Sequence, residues 1–453
     1  MAYSVPPLSE LDTLAAALAA SAYLPYHTLP DPLGLSGVSA LGARAAAAAV
    51  NTRMIRGPRS AASATGAKFD GRRALTALDT WDELALRCLV GDVLLATNLA
   101  DQVAGHRTDA HSRHDWTTRN PGYGDRGRRS DALETLLAED EPAPAVLLKL
   151  DLASYFPSVD LARLPEFLPG ANLGAVRHLG AWLGSVNAQT GLTGLPIGPE
   201  GCAVLGTALL APLDELLTEQ GVRWVRYVDD IWCLAFDVRT ANQLLRQIER
   251  AVWDLGFDLN YGKTELLEGG AAIERILDPR VAAIRAAHAD GDTGAAWSLA
   301  RTMLEAARGS GSPDSMSLVR YALRTLSGDP QVREQLVRDT ALIEQAGAAV
   351  SQWFAEDPAF AADPRLLYHA ASGRLSDDAT ARLVRGIGAR GDAGPVLHQL
   401  VGDARRSVYV RAVAAAQPGV PLSAAAGVAG DHALLATVAE QKKAIAGGSE
   451  SPF

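Results

Sequence analysis

Residues 223–236 read RWVRYVDDIWCLAF, and this stretch decides the fold of the central part of the chain. Two apolar runs, RWVRYV and IWCLAF, flank the adjacent acids Asp229 and Asp230. The pattern predicts a β-hairpin with a carboxylate pair at its turn. Taken alone, Asp-Asp is more often an ordinary turn than a metal site. Other residues along the chain decide between these two interpretations.

A second source of carboxylate lies upstream, in AVLLKLDLASYFPSVD. Residues 146–150 have the pattern of a buried strand, which places Asp151 at the strand end, where a side chain can face a cleft. Carboxylates on two strands can hold two Mg²⁺ ions, about 3.5–4 Å apart, that activate a 3′-hydroxyl and stabilise the leaving pyrophosphate. In that arrangement Asp151 and Asp229 bridge the ions, and the Leu152 carbonyl is a further ligand. Asp230 supports the site by its charge or through an outer-sphere contact, and Mn²⁺ can replace Mg²⁺.

Four motifs occur along the chain in an order that one enzyme family shares. They are Asp151 to Phe156, Leu195-Pro196-Ile197-Gly198-Pro199, Tyr227 to Asp230, and Leu255-Gly256-Phe257 leading to Lys263. This order resembles the palm subdomain of reverse transcriptases. That palm carries an Asp-x-x-x-x-aromatic strand end, a Gly-x-Pro-x-Gly helix entry, a Tyr-x-Asp-Asp hairpin and a later Gly/Lys strand. The match covers roughly residues 50 to 275. It is specific as a set, although each part is weak alone.

The resemblance implies that Asp151, Asp229, Asp230 and Lys263 are catalytic. Lys263 corresponds to a residue near the triphosphate, where an ammonium neutralises or protonates the pyrophosphate; a surface lysine in a turn is the alternative. Phe156 corresponds to a bulky aromatic under the sugar of the incoming nucleotide. A ring there collides with a 2′-hydroxyl, so the resemblance implies selection of deoxynucleotides. A core phenylalanine is the alternative.

Three further residues complete the implied substrate-binding set. Arg73, in RRALTALDTWDEL, resembles the fingers residue that contacts nucleotide phosphates, with Arg72 as the alternate. Arginine suits a phosphate because its planar fork can donate two hydrogen bonds at once. Gly198 and Tyr227 belong to the set by their places in the helix entry and in the hairpin.

The chain departs from most templated reverse transcriptases. Ile197 fills a slot where most have Gln, and Pro199-Glu200 stands where a Ser-Pro pair is usual. The variant Pro-Ile-Gly-Pro-Glu resembles the abortive-infection and defence-associated (unknown-group) reverse transcriptases of bacteria. Losing a polar side chain at Ile197 weakens hydrogen bonding near the nascent base pair. Both templated and untemplated synthesis therefore stay open.

That resemblance implies antiphage defence by DNA synthesis, either RNA-directed or untemplated and primed by a protein hydroxyl. The implied partners are dNTPs and nucleic acid, as an RNA template or as a DNA product that protein priming would attach covalently. Members of the group also form homo-oligomers or pair with a noncoding RNA. The sequence does not choose among the tyrosines available for priming, Tyr23, Tyr26, Tyr261, Tyr368 and Tyr409. Two alternatives remain: a helical-repeat binding scaffold with a non-catalytic palm, and a palm-fold RNA polymerase, which Phe156 disfavours.

Composition indicates a cytoplasmic enzyme of two to three domains. The 453 residues are 48% hydrophobic, which allows a substantial core. The three cysteines, Cys88, Cys202 and Cys233, lack CxxC spacing, which disfavours disulfides and zinc and indicates a reducing compartment. The N-terminal apolar stretch has no basic region before it, and no apolar run approaches the roughly 20 residues that span a bilayer. We therefore expect no membrane association.

Charge is unevenly distributed along the chain. The net charge of −10 argues against a protein that coats nucleic acid over its whole surface. Residues 105–129, GHRTDAHSRHDWTTRNPGYGDRGRR, nevertheless interleave arginines with Trp116 and Tyr123. Such a segment can pair with phosphates and stack on unpaired bases, so we expect nucleic-acid contact there. A solvated loop is the alternative.

These patterns predict an α+β fold: right-hand polymerase fingers and palm followed by an all-α, repeat-like domain. We expect a helical segment over residues 1–50, fingers and palm over 51–278, a helical domain over 279–445 and a disordered tail over 446–453. Helical periodicity beyond residue 279 appears in AAWSLARTMLEAAR, DSMSLVRYALRTL, QVREQLVRDTALIEQ and DDATARLVRGIGAR. Short Gly, Asp and Pro breaks separate these helices, as in a helical repeat array.

Overall fold

The structure is a computed structural model, and its described residues fall into two compact units. Among the described residues, the first unit comprises 51–57, 83–95, 146–276 and 278; the second comprises 43–50, 58–68, 71–82 and those from 279 onward. The predictions for most of the N-terminal segment and for residues 105–129 lie outside the described residues. Those described are 43–68, 71–95, 146–276, 278–310, 315–347, 349–388 and 393–447.

The described part of the chain begins with a helix, a hairpin and a second helix. These elements are α1 (Ala43–Arg56), β1 (Ala61–Lys68), β2 (Gly71–Leu78) and α2 (Thr80–Leu95). β1 and β2 pair antiparallel, with Ala61 opposite Leu78. The hairpin belongs to the second unit, together with the C-terminal helices.

A four-stranded antiparallel sheet of order β4-β5-β3-β6 organises the first unit. Its strands are β3 (Val146–Asp151), β4 (Arg223–Tyr227), β5 (Asp230–Ala235) and β6 (Glu265–Glu268). The predicted strand before Asp151 and the predicted hairpin around Asp229 are both confirmed. Leu147 and Trp232 are buried on one face, and Leu148 and Cys233 on the other. Because both faces are covered, these strands have continuous apolar sequences instead of alternating ones.

In its described residues the first unit contains seven further helices, of which the last three contact strands of this sheet. They are α3 (Tyr155–Ser158), α4 (Leu164–Phe167), α5 (Leu173–Thr190), α6 (Glu200–Leu209), α7 (Ala211–Glu219), α8 (Val238–Asp254) and α9 (Gly269–Ile276). Asp237 caps α8, since its carboxylate accepts a hydrogen bond from Thr240 N at 2.6 Å. No single helix of the described residues has the length and apolarity to cross a bilayer; α6 and α7 reach them only jointly, across a bend of 41°.

All regular elements of the described residues beyond residue 278 are helices. They are α10 (Pro279–Ala289), α11 (Thr293–Gly309), α12 (Ser315–Thr325), α13 (Pro330–Arg338), α14 (Thr340–Ala346), α15 (Ala349–Glu356), α16 (Pro358–Ala361), α17 (Pro364–Ser372), α18 (Asp377–Gly388), α19 (Gly394–Gly402), α20 (Val408–Ala416), α21 (Leu422–Gly427) and α22 (Ala433–Gly447). The α+β class is therefore confirmed. The repeat character of these helices stays a prediction.

Asp-Pro pairs begin several of these helices. Asp329 and Asp357 each accept hydrogen bonds from two backbone amides of the helix that follows, and a proline occupies its first turn. Arg301 of a preceding helix adds an ion pair to Asp329, at 2.6 Å. One prediction was wrong here: the segment QVREQLVRDTALIEQ forms two helices, because the Asp339 carboxylate caps the second at Ala341 N and Leu342 N.

Within the second unit the β1–β2 hairpin is bonded to the C-terminal helices. Thr65 N and Oγ1 donate to the Asp377 carboxylate at 2.8 and 3.0 Å, and Arg59, two residues before β1, pairs with Glu440 at 2.7 Å. The predicted division instead groups this hairpin with the palm. That four-part division stays a prediction, although its boundary after residue 278 coincides with the division between the units.

Candidate active site

The three predicted carboxylates belong to neighbouring backbone positions where β3 and β5 lie side by side. Asp151 ends β3 and pairs in register with Asp230, the first residue of β5. Asp229 occupies the turn just before, and Tyr227 pairs with Asp230 across the hairpin. Residues opposite each other on antiparallel strands share a face, with Cβ atoms about 4.5–5.5 Å apart. Tyr227, Asp230 and Asp151 therefore form a row at one end of the sheet.

Each of the two segments that supply these carboxylates contains a residue with an uncommon backbone conformation. Among the described residues, the non-glycine residues with positive φ are Ser154, at 48°, and Val228, at 55°. Val228 is buried and β-branched, and such a conformation costs about 1–3 kcal/mol that its surroundings must offset. Backbone outliers of this kind cluster at functional sites. Ser154 closely follows Asp151 in the chain, and Val228 directly precedes Asp229.

Asp151 is held by two side chains from the segment after α8. Lys263 Nζ lies 3.1 Å from Oδ1 and 3.0 Å from Oδ2, and Asn260 Nδ2 donates to Oδ2 at 3.1 Å. Asn260 N also donates to the Asp151 carbonyl at 2.8 Å. Leu152, which is predicted to offer its carbonyl to a metal, forms an antiparallel bridge with Leu259 directly beyond. The motif that ends at Lys263 therefore places an ammonium group beside the carboxylate of Asp151, in the first motif.

Asp229 has a strongly perturbed carboxyl group. Burial, and after it the negative charge of Asp151, raise the pKa of Asp229 to about 7; Asp230 adds to the increase, whereas Lys263 opposes it. A divalent cation would reverse this effect, because it stabilises the ionised form of both carboxylates. The donors are all oxygens, which Mg²⁺ and Mn²⁺ prefer, so these residues fit the predicted ions.

Asp230 differs from its neighbours in its bonding. Its Oδ1 accepts a hydrogen bond from Trp232 Nε1 at 2.9 Å, which directs the carboxylate along its own strand. This geometry favours a supporting role for Asp230 beside Asp151 and Asp229. In the described part of the chain, no three His, Cys, Asp or Glu side chains converge as a ready-made ion site. A metal ion bound at these carboxylates would take its remaining ligands from a backbone carbonyl, water or substrate.

Phe156 lies on the short helix α3, which the helix-entry loop supports. Leu195 N donates to the Phe156 carbonyl at 2.7 Å. Gly194 has a φ of 72°, and a Cβ there would lie only 2.3 Å from the same oxygen. The Phe156 side chain stays partly exposed, whereas its neighbour Tyr155 is fully buried and donates its hydroxyl to the Gly206 carbonyl at 2.6 Å. Tyr155 therefore fills the core position, while Phe156 is only partly buried.

Comparison with known proteins gives one partial match in sequence. A stretch of 145 residues is 30% identical to the retron Mx65 reverse transcriptase of Myxococcus xanthus. The similarity is to a reverse transcriptase. It covers 28% of this chain and 34% of that protein, so the chain spans about a third of the length of the curated relative. No family model matches the chain.

Two solved telomerase structures show a distant likeness to this chain. The match to telomerase from Candida albicans, solved in complex with a fragment of telomeric RNA, covers 81% of this chain and 67% of the telomerase chain. The sequence identity is 10% and the TM-score is 0.33. Apo telomerase from Candida tropicalis covers 79% and 69%, at 9% identity and a TM-score of 0.35. Scores of this size do not establish a shared fold.

The other predicted substrate-binding residues lie in different units: Gly198 and Tyr227 in the first, and Arg73 in the second. Gly198 has a φ of 126°, a conformation that favours glycine, and Tyr227 is partly exposed beside the carboxylates. Arg73 is exposed on β2 of the second unit, while Arg72 there donates to the Arg374 carbonyl at 2.7 Å. The phosphate-binding role of Arg73 stays a prediction, as do the roles of all the site residues.

The predicted priming tyrosines divide by exposure. Tyr409 is fully buried, which makes its hydroxyl inaccessible to a nucleotide in the folded chain. Tyr261 and Tyr368 are exposed, by 59% and 63%, and Tyr261 lies two residues before Lys263. Tyr23 and Tyr26 lie outside the described residues.

Sequence reasoning missed two residues that contact the site. Asn260 Nδ2 donates a hydrogen bond to Asp151 Oδ2, and no role was predicted for it. Arg226 is fully buried and donates to the Val228 carbonyl at 2.7 Å. The sequence contains a signal for this role of Arg226: it lies between Val225 and Tyr227 in an otherwise apolar run. A charged residue in such a run is buried only if it is paired.

Proposed function

We propose that this chain is a DNA polymerase of the reverse transcriptase class that uses two Mg²⁺ or Mn²⁺ ions and acts in antiphage defence in the cytoplasm. The observation that carries the proposal is the convergence of Asp151, Asp229 and Lys263 at one end of the sheet. The order of the four motifs and the partial similarity to a bacterial reverse transcriptase support the same class.

The chemistry follows from the side chains at this end of the sheet. When bound, the ions would activate a 3′-hydroxyl and neutralise charge on the leaving pyrophosphate. Asp151 and Asp229 would hold them, with the Leu152 carbonyl as a further ligand. The Lys263 ammonium, which lies 3.0 Å from Asp151, would stabilise or protonate the pyrophosphate. The partly exposed Phe156 ring would exclude a 2′-hydroxyl.

The defence role rests on sequence features. Ile197 and Pro199-Glu200 fit the defence-associated group better than templated polymerases, and helices make up the described chain beyond residue 278. The proposed partners are dNTPs, an RNA template or a covalently attached DNA product, a noncoding RNA and a second copy of the chain.

The test is nucleotide incorporation by the purified full chain. Labelled dNTPs and NTPs are supplied separately with Mg²⁺, with and without a primed RNA template. We expect incorporation of dNTPs in at least one of these conditions and little incorporation of NTPs. Preference for NTPs would establish an RNA polymerase instead. Absence of incorporation in all conditions, with phage protection retained by an Asp229→Asn variant, would establish a non-catalytic scaffold.

Protein isolated from cells addresses the partners. Digestion with DNase and RNase, followed by sequencing of the released nucleic acid, distinguishes the two modes of synthesis. DNA that stays attached after denaturation indicates protein priming, whereas RNA of defined sequence indicates a template or a noncoding partner.

A further inference from the structure

Arg226 is a buried cation on the face of the sheet opposite the carboxylate row. It lies on β4, pairs in register with Ile231, and is 0% exposed. Removing a guanidinium from water costs several kcal/mol unless it is paired and hydrogen-bonded. A residue this costly in an apolar strand requires specific partners, and the structure supplies them from two helices and the turn.

The guanidinium connects the turn that carries Asp229 to the helices behind the sheet. Nη1 donates to the Val228 carbonyl at 2.7 Å. Nε donates to Asp214 Oδ1 at 2.7 Å, and Nη2 donates to Asp214 Oδ2 and, at 3.1 Å, to the Thr207 carbonyl. Asp214 lies on α7 and Thr207 on α6. One side chain therefore joins three elements.

The hydrogen bond from Arg226 is accepted by the carbonyl of a residue with a strained backbone, Val228. Val228 holds a φ of 55°, and the peptide that follows it leads directly to Asp229. A fixed donor on the Val228 carbonyl restricts that peptide and so the direction in which the Asp229 carboxylate leaves the turn. Groups that orient a ligand without touching the metal commonly set its affinity.

We propose that Arg226, oriented by Asp214, is the positioning residue that sets the divalent-cation affinity of the Asp229 turn. This inference rests on the proposed function, because it assumes that Asp229 binds a metal ion. A lysine could not replace Arg226, since an ammonium lacks the planar fork that reaches the turn and Asp214 together.

The experiment uses the full-length protein and measures Mn²⁺ binding by electron paramagnetic resonance, with no nucleotide present. Asp214→Asn keeps the side chain's size and one acceptor, so we expect it to fold, and its circular dichroism checks this. We expect Asp214→Asn and Arg226→Lys each to weaken Mn²⁺ binding about 10- to 100-fold. The Mg²⁺ concentration for half-maximal dNTP incorporation should rise by a similar factor.

Glu83→Gln is the matched control, because Glu83 pairs with another buried arginine, Arg87, at 3.1 Å within one helix. It should keep the wild-type affinity for Mn²⁺. Folded Asp214→Asn protein that binds Mn²⁺ as tightly as the wild type would overturn the inference, even if its melting temperature fell. Wild-type protein that binds Mn²⁺ but incorporates no nucleotide would overturn the polymerase proposal alone. Wild-type protein that binds no Mn²⁺ would overturn both.

Discussion

Replacing Asp229 with Asn should stabilise the metal-free protein at pH 8 while it removes the proposed metal ligand. Burial and the charge of Asp151 raise the pKa of Asp229 from about 3.8 to about 7. Because the folded state holds this proton more tightly than the unfolded state, ionisation of Asp229 destabilises the fold. The stability that the protonated carboxyl provides is fully present below pH 4 and is lost as the pH rises through 7. A shift of this size corresponds to about 4 kcal/mol, which we reduce to about 2 kcal/mol because Asp229 keeps partial contact with solvent.

The assay is thermal unfolding in EDTA. At pH 8 we expect Asp229→Asn to melt roughly 4–8 °C above the wild type, since about 1 kcal/mol shifts the midpoint of such a domain by about 2–4 °C. At pH 5 the difference should shrink to about a third, because the wild-type carboxyl is then largely protonated. Added Mg²⁺ should raise the midpoint of the wild type only.

Asp254→Asn serves as the control, because it removes an exposed carboxylate at the end of α8 and should change stability by less than about 0.5 kcal/mol. A variant at Asp229 that is less stable than the wild type at pH 8 would refute the reasoning. So would a stabilisation that does not depend on pH.

Three further substitutions, one of them paired with a control variant, have distinct expected outcomes. Lys263→Ala should lower the rate of dNTP incorporation about 100-fold or more in steady-state kinetics. It should change the free energy of unfolding by less than about 1 kcal/mol, because the Lys263 side chain in the ion pair with Asp151 is 44% exposed. An unchanged rate would exclude the catalytic role. Gly194→Ala should destabilise the fold by about 2 kcal/mol or more in urea unfolding, since its Cβ would meet the Phe156 carbonyl. Gly191→Ala, with a φ of 69° but open space around it, should cost only about 1 kcal/mol, and equal costs would contradict this account. Phe156→Ala should raise NTP incorporation relative to dNTP, and an unchanged ratio would remove Phe156 from sugar selection.

Local patterns predicted the part of the site that depends on neighbouring residues. The apolar run before Asp151 and the hairpin around Asp229 are short-range features, and both formed as expected. The sequence also indicated that Lys263 belongs with Asp151, but only through the order of the motifs. The contact itself joins residues 112 positions apart.

The remaining features depend on contacts that no local pattern contains. Arg226 would be exposed in a strand with only one buried face; it is buried because Asp214, from a helix earlier in the chain, neutralises it. The hairpin bond from Thr65 to Asp377 spans 312 positions. The break at Asp339 was available in the sequence as an N-cap, and it was missed because the apolar periodicity runs across it.

The central claim is that Asp151 and Asp229 form a metal-dependent centre for dNTP polymerisation. Its most direct test is dNTP incorporation across a Mg²⁺ titration by the wild type, Asp151→Asn and Asp229→Asn, with Asp254→Asn as the control. We predict Mg²⁺-dependent incorporation by the wild type and the control, and a loss of at least about 100-fold in the two site variants, since each removes several kcal/mol of charge stabilisation. Incorporation at the wild-type rate by folded Asp229→Asn protein would contradict the claim.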